Sequence, residues 1–201
     1  MAPVIAPGGS VEFAKPAVAA RSKICLMELP AVTFRTPLEG EHDRIARAAW
    51  EGSVYAEIFS PEERAALYAD PEMTRATWLD DALQLPFTWI VAVSDGSPVG
   101  TGILYALRDD SRHGLVESLF VLPSYQRRGV GTKIWNYLRG IARENGLPSL
   151  KLYVLEKNKP AIAFYEQLGC RDFGGRSQLW LGKHAEEAIG LRWGSNASFE
   201  R

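Results

Sequence analysis

Apolar positions change their spacing along this chain, and the changes mark out its elements. Residues 1–30 are rich in Ala, Pro and Gly and hold no sustained period, which reads as an N-terminal arm appended to a domain. Residues 31–36 form a short strand ended by Pro37. In residues 41–50 the side chains of Ile45, Ala46, Ala49 and Trp50 fall on one side of a helix. Ser60-Pro61-Glu62-Glu63 is a helix start, with Ser as cap, Pro at the first position and Glu three residues after the cap. Another helix is expected over residues 71–83, before Pro86.

At Thr88 the spacing becomes that of strands. Residues 88–93 and 99–107 flank Asp95-Gly96, and a DG pair between β-rich runs is a strong hairpin signal. Residues 115–122 are apolar apart from Glu117 and Ser118, as expected of a central strand, and Pro123 ends them. Helical spacing returns with Val130, Ile134, Leu138, Ile141 and Ala142 and stops at Gly146-Leu147-Pro148. A strand over 150–155, a helix over 158–168 and, after a Gly174-Gly175 turn, a strand over 176–181 complete the pattern. The order is a helical N-terminal third, an antiparallel meander, then strand, helix, strand, helix, strand. The domain is placed at 31–182, with 183–201 as a C-terminal tail.

Composition narrows the function. A chain of 201 residues that is 46% hydrophobic and 23% charged can bury a sizeable core within one domain. Its net charge of −1 argues against nucleic acid as a partner, because neutralising phosphates takes a surplus of Lys and Arg on one face. Cys25 and Cys170 lie far apart and outside any CxxC or Cys/His cluster, so neither a disulfide framework nor a metal site is signalled. No apolar run approaches a membrane span, and the prolines, glycines and lysine of the arm interrupt what a signal peptide would need. A cytoplasmic protein is expected, with neither membrane nor nucleic acid as partner.

The most informative segment is Gln126-Arg127-Arg128-Gly129-Val130-Gly131, between the apolar strand and a long helix. Such a turn aims consecutive backbone N–H groups at one point, where the helix dipole also favours an anion. Glycines permit close approach and unusual φ, and Arg127 and Arg128 can complement phosphate oxygens. The plainer reading is a tight turn followed by a solvated helix start. The segment is neither a Walker A loop nor a full GxGxxG fingerprint.

With its context the segment says more. Leu119-Phe120-Val121-Leu122-Pro123-Ser124-Tyr125-Gln126-Arg127-Arg128-Gly129-Val130-Gly131 resembles motif A of the GNAT superfamily of N-acetyltransferases. About thirty residues on, Leu152-Tyr153-Val154-Leu155-Glu156-Lys157-Asn158, followed by Ala161, Phe164-Tyr165 and Leu168-Gly169, resembles its motif B. The resemblance covers roughly residues 31–182 and, through the helical stretch 54–83 with Trp78, is most like bacterial small-amine acetyltransferases. It implies an α/β (α+β) fold: a mixed, mostly antiparallel sheet whose parallel central strands 4 and 5 splay apart, flanked by helices. It also implies acetyl-CoA as co-substrate. The pantetheine would pair with backbone at Leu119, Phe120 and Val121. The pyrophosphate would lie on Gln126, Arg127, Arg128, Gly129, Val130, Gly131 and Thr132, with Asn158 and Ala161 near the pantetheine and Tyr165 near the sulfur.

Acyl transfer to an amine needs the amine neutral, yet an alkylamine has a pKa of about 10.4. Glu117, a carboxylate in an apolar strand, is a candidate base whose pKa burial could raise; the alternative is a partly exposed charge. His113, two residues before that strand, is a second candidate, though a lone loop histidine is commonly just solvated. Tyr165 is the candidate general acid for the leaving thiolate, and its rival role is to fill the core in the stripe Ala161, Phe164, Tyr165, Leu168. Cys170 has no His or Asp partner nearby and reads as a small buried apolar residue, and Asn158 as a helix N-cap alongside any cofactor contact.

Between residues 39 and 81 there are eleven acids against four arginines, which either attract a cationic amine or are the solvated faces of helices. Trp50, Tyr55, Phe59, Tyr68 and Trp78 line an acceptor pocket or cover the core. Three functions follow: direct acetyl transfer to a primary amine of a small molecule in a ternary complex, acetylation of protein N-termini or lysines, or a non-catalytic acyl-CoA-binding module. A homodimer is compatible with each.

Overall fold

The computed structural model describes residues 31–51, 55–62, 65, 88–106, 113–181 and 184–194. The β-rich runs β2 (Thr88–Ser94) and β3 (Ser97–Ala106) pair antiparallel across Asp95 and Gly96, whose φ values of 50° and 75° are those a two-residue hairpin turn demands. To one side lies β1 (Val32–Arg35) and to the other β4 (His113–Val121), both antiparallel to their neighbours. Then come β5 (Ser149–Leu155), β6 (Arg171–Leu181) and β7 (His184–Gly194). They make one seven-stranded sheet in the order β1-β2-β3-β4-β5-β7-β6, in which only β4 and β5 are parallel. The mixed, mostly antiparallel sheet expected from the sequence is present.

Helices cover both faces. On one, α1 (Glu41–Glu51) packs against β3 and β4, with Ile45 and Ala49 buried and Trp50 edge-on to Phe120 at 6.1 Å. A short α2 (Tyr55–Ile58) follows it. On the other face α3 (Val130–Glu144) inserts Ile134, Trp135 and Leu138, all fully buried, into the main core with Leu150 and Leu152. Gly100 and Gly102 of β3 let α3 sit this close, because a Cβ on either would meet an Ile134 side-chain carbon at 2.8 or 2.9 Å. The last helix, α4 (Lys159–Gln167), follows β5.

Arg35 at the end of β1 clamps α1 to the sheet. Its guanidinium donates to both oxygens of Glu41, at 2.6 and 2.7 Å, and Glu41 also accepts from the Leu38 N–H at 2.6 Å. The Arg35 hydrogen bonds, opposed by burial, hold the Glu41 carboxyl down at about 2. A carboxylate with a depressed pKa contributes stability above its ordinary value of 4.5, which is lost as pH falls through about 2. Glu41→Gln should therefore lower Tm at pH 7, with the gap to the unsubstituted chain closing as melts are repeated toward pH 2.

Three sequence expectations change. The stretch set aside as a C-terminal tail supplies β7, which lies between β5 and β6, so the sheet continues past residue 182. Strand β6 begins at Arg171, and Gly174-Gly175 sits in an irregularity of that strand, with the Phe173 ring laid over Gly175 and Gly190. His113 is no solvated loop residue: it is the buried first residue of β4, and its Nδ1 is hydrogen-bonded to Ser149 Oγ of β5. The arm, the helix over 71–83 and most of the helix begun at Ser60 lie outside the described residues, as do Tyr68 and Trp78.

Candidate active site

Parallel strands send their following helices to the same end of a sheet. After β4 and β5, the N-termini of α3 and α4 therefore both lie at the carboxyl ends of these strands, where open α/β sheets form ligand crevices. The two strands are paired only over His113↔Ser149, Gly114↔Leu150 and Leu115↔Lys151. Beyond Leu115 and Lys151 the ladder ends, although β4 runs on to Val121 and β5 to Leu155. This is the expected splay, and it leaves backbone edges that an extended ligand can pair with.

A bulge in β4 lies just beyond the end of this ladder. Thr101 pairs with Phe120 and Ile103 with Glu117, so β4 spends three residues where β3 spends two. The extra residue adopts a left-handed conformation at Ser118, φ 53°. Side-chain alternation is thereby reset: Glu117 and Phe120 both face α1, while Val121 joins the core beneath α3. Sequence reading found Glu117 and Ser118 as interruptions of an apolar run; the bulge is what they mark.

The loop after β4 is built to present amides. Pro123–Tyr125 make one 3-10 turn, the Gln126 side-chain amide donates to the Val121 carbonyl at 3.0 Å, and Arg127 and Gly129 take φ values of 58° and 78°. Gly129 caps α3 with no side-chain hydrogen bond, so no cap side chain competes for the first-turn N–H groups. Arg127 and Arg128 are exposed there. Gly131 has a reason beyond ligand approach, since a Cβ would stand 3.2 Å from Cζ of Phe164 in α4. Thus Phe164 brings α4 against the glycine turn. At the start of α4 the Asn158 side chain accepts from the Ala161 N–H at 3.2 Å, confirming its capping role. The glycine turn, the distal half of β4 and the start of α4 surround one mouth, and these residues fit an extended cofactor with a diphosphate.

Two of the candidate residues lie in surroundings that bear on chemistry. Burial raises the Glu117 carboxyl to about 7, against the opposing hydrogen bonds from Tyr105 and Ser118, and its Oε2 is buried with no hydrogen-bond partner. Tyr165 is 8% exposed and packs edge-on against Trp135 at 5.6 Å and Phe164 at 5.0 Å. The aromatic stripe therefore is core, which leaves its hydroxyl to be tested for chemistry. Two other candidates are accounted for. His113 sits four residues before Glu117, at the end of β4 away from the mouth, and the Cys170 thiol is fully buried and pushed up to about 12 by burial, which keeps it protonated. Of the acids counted over 39–81, Glu41 is committed to Arg35 and cannot attract an acceptor. The residue that sequence reading missed is Tyr105, because only the β3–β4 register puts it beside Glu117.

A sheet opened between two parallel strands, with a glycine turn at the opening, forms a crevice of the kind in which open α/β sheets bind ligands. A family model described as "Acetyltransferase (GNAT) family" matches residues 52–170, and the chain belongs to that family. Thialysine N-epsilon-acetyltransferase of Mus musculus is 34% identical over 85 residues, 41% of this chain and 49% of that protein. Mycothiol acetyltransferase of Streptomyces coelicolor is 31% identical over 141 residues, 69% of this chain and 42% of that protein. The chain thus spans about half the length of the curated relatives it matches. In structure, the PaiA N-acetyltransferase of Thermoplasma acidophilum in complex with coenzyme A superposes with a TM-score of 0.58 at 16% identity, over 82% of this chain and 99% of that one.

Proposed function

We propose that this protein transfers the acetyl group of acetyl-CoA to a primary amine of a small molecule by direct attack in a ternary complex. The observation that carries this is the opening of the β4–β5 ladder beyond Leu115 and Lys151, with Glu117 in the segment of β4 that leaves it. Acetyl-CoA would supply an activated thioester. The amides of Gln126, Arg127, Arg128, Gly129, Val130, Gly131 and Thr132 would hold its diphosphate, and the freed edge at Leu119, Phe120 and Val121 its pantetheine, with Asn158 and Ala161 alongside. Supporting an amine acceptor, thialysine N-epsilon-acetyltransferases are among the relatives matched.

Glu117 Oε2 takes the proton from the acceptor ammonium, directly or through a water. At about 7 its pKa suits a base at neutral pH far better than an ordinary carboxylate of 4.5. A backbone N–H of the bulged segment near Val121 faces the developing oxyanion. The Tyr165 hydroxyl protonates the departing thiolate. Thiol release from acetyl-CoA, measured against a panel of small amines and of peptides, tests this reading, with the acetylated product identified by mass spectrometry. Release with small amines is expected. Release with peptides alone would replace the acceptor class, and acetyl-CoA binding with no release for any acceptor would make the protein a binding module.

A further inference from the structure

Glu117 is a carboxyl whose pKa burial raises, and what surrounds it is set by the β3–β4 pairing. Because Ile103 lies opposite Glu117 and Tyr105 opposite Leu115, Tyr105 is the diagonal neighbour of Glu117 on the same face, within reach of a long aromatic side chain. Tyr105 is 7% exposed, packed in a small cluster with Ile103, Leu115 and Trp89, separate from the core under α3. The register sets its hydroxyl on the side of the Glu117 carboxylate, whose pKa it lowers against the burial that raises it. Ser118 Oγ approaches Glu117 Oε1 at 3.5 Å, from the left-handed residue of the bulge. A carboxylate can accept several hydrogen bonds, and both of these hydroxyls are carried by residues that the sheet fixes.

We propose that Tyr105 is a positioning residue for Glu117: from the adjacent strand its phenol holds and stabilises the carboxylate, leaving Oε2 free to take the acceptor's proton. This inference rests on the reading of Glu117 as base. A phenol buried in an apolar cluster gives a donor whose direction is fixed by packing, where water would give one that fluctuates. It also sets the working range of the base. Burial raises the Glu117 carboxyl, and the Tyr105 hydroxyl opposes that rise.

Among the described residues, the other charged groups on this face have stated places. His113 of β4 is engaged by Ser149, Lys151 of β5 lies opposite Leu115, and Arg44, Arg47 and Glu51 of α1 are exposed, while Glu41 is held by Arg35. Among the described residues, Tyr105 and Ser118 are the groups that pull Glu117 against its burial.

The test is the pH profile of kcat/KM for the amine that the acceptor screen identifies, measured on the full chain. In Tyr105→Phe the acid limb should move up by about one pH unit, the loss of one hydrogen bond to a charged group. Activity should recover toward the unsubstituted level at pH 9, and KM for acetyl-CoA should hold. A rate lowered equally at every pH, or a limb that stays in place, would overturn the proposal. Should Tyr105→Phe fail to fold, a fluorinated tyrosine at 105 decides: a more acidic phenol donates more strongly and must move the limb down. Glu117→Gln separates the two levels of inference. A limb abolished by Glu117→Gln but unmoved at Tyr105 overturns this proposal alone, and a limb that survives Glu117→Gln overturns Glu117 as base.

Discussion

Glu117→Gln lowers kcat/KM by about 10²–10⁴-fold at pH 8, the range that general-base catalysis contributes, and removes the acid limb near pH 7. The amide is close in shape to the protonated acid, so it keeps the side chain in place while taking away the proton acceptor. The limb belongs to the enzyme, because an alkylammonium with a pKa of about 10.4 stays protonated throughout pH 5–9. Stability should move the other way. A carboxyl raised from 4.5 to about 7 contributes stability that is complete below pH 4.5 and lost as pH rises through about 7. Glu117→Gln should therefore melt higher than the unsubstituted chain at pH 8, where Glu117 is ionised, with the difference shrinking toward pH 5. A variant less active and more stable at once is the signature of a strained catalytic carboxylate. Equal activity at pH 8 would remove Glu117 from the mechanism.

Tyr165→Phe is expected to have the next largest effect, a loss of about 10²-fold in kcat with the dissociation constant for acetyl-CoA retained. Only one oxygen is removed, and the edge-on contacts with Trp135 and Phe164 keep their ring partner. Single-turnover measurements separate the chemical step from release of product. If kcat is unchanged, Tyr165 is a core aromatic and the thiolate takes its proton from solvent.

Local pattern carried much of this structure. The Asp95-Gly96 hairpin, the apolar seam of α3 from Val130 to Ala142 and the Asn158 cap of α4 were legible because each is fixed by residues close in sequence. The glycine turn before α3 was legible for the same reason. What escaped depends on partners far along the chain. Strand β7 carries alternating Ile189, Leu191 and Trp193, a usable signal, but Glu186-Glu187, Gly190 and Gly194 dilute it. Glu117 and Ser118 marked the place of the bulge without identifying it, since serine rarely adopts a positive φ within a strand. Tyr105 was invisible beside Glu117 until the register of β3 on β4 was known.

The placement of β7 bears on how the chain comes together as it is made. Its residues are synthesised after β6, yet it occupies the position between β5 and β6, so among the described strands β6 has no sheet partner until Gly194 has left the ribosome. Until then β5 is held by three residue pairs to β4 and presents its other edge, Ser149 to Leu155, to any strand nearby. Truncation before His184 would freeze the chain in that open-edged form, which makes aggregation during expression the expected fate of shortened versions that still contain the whole glycine turn.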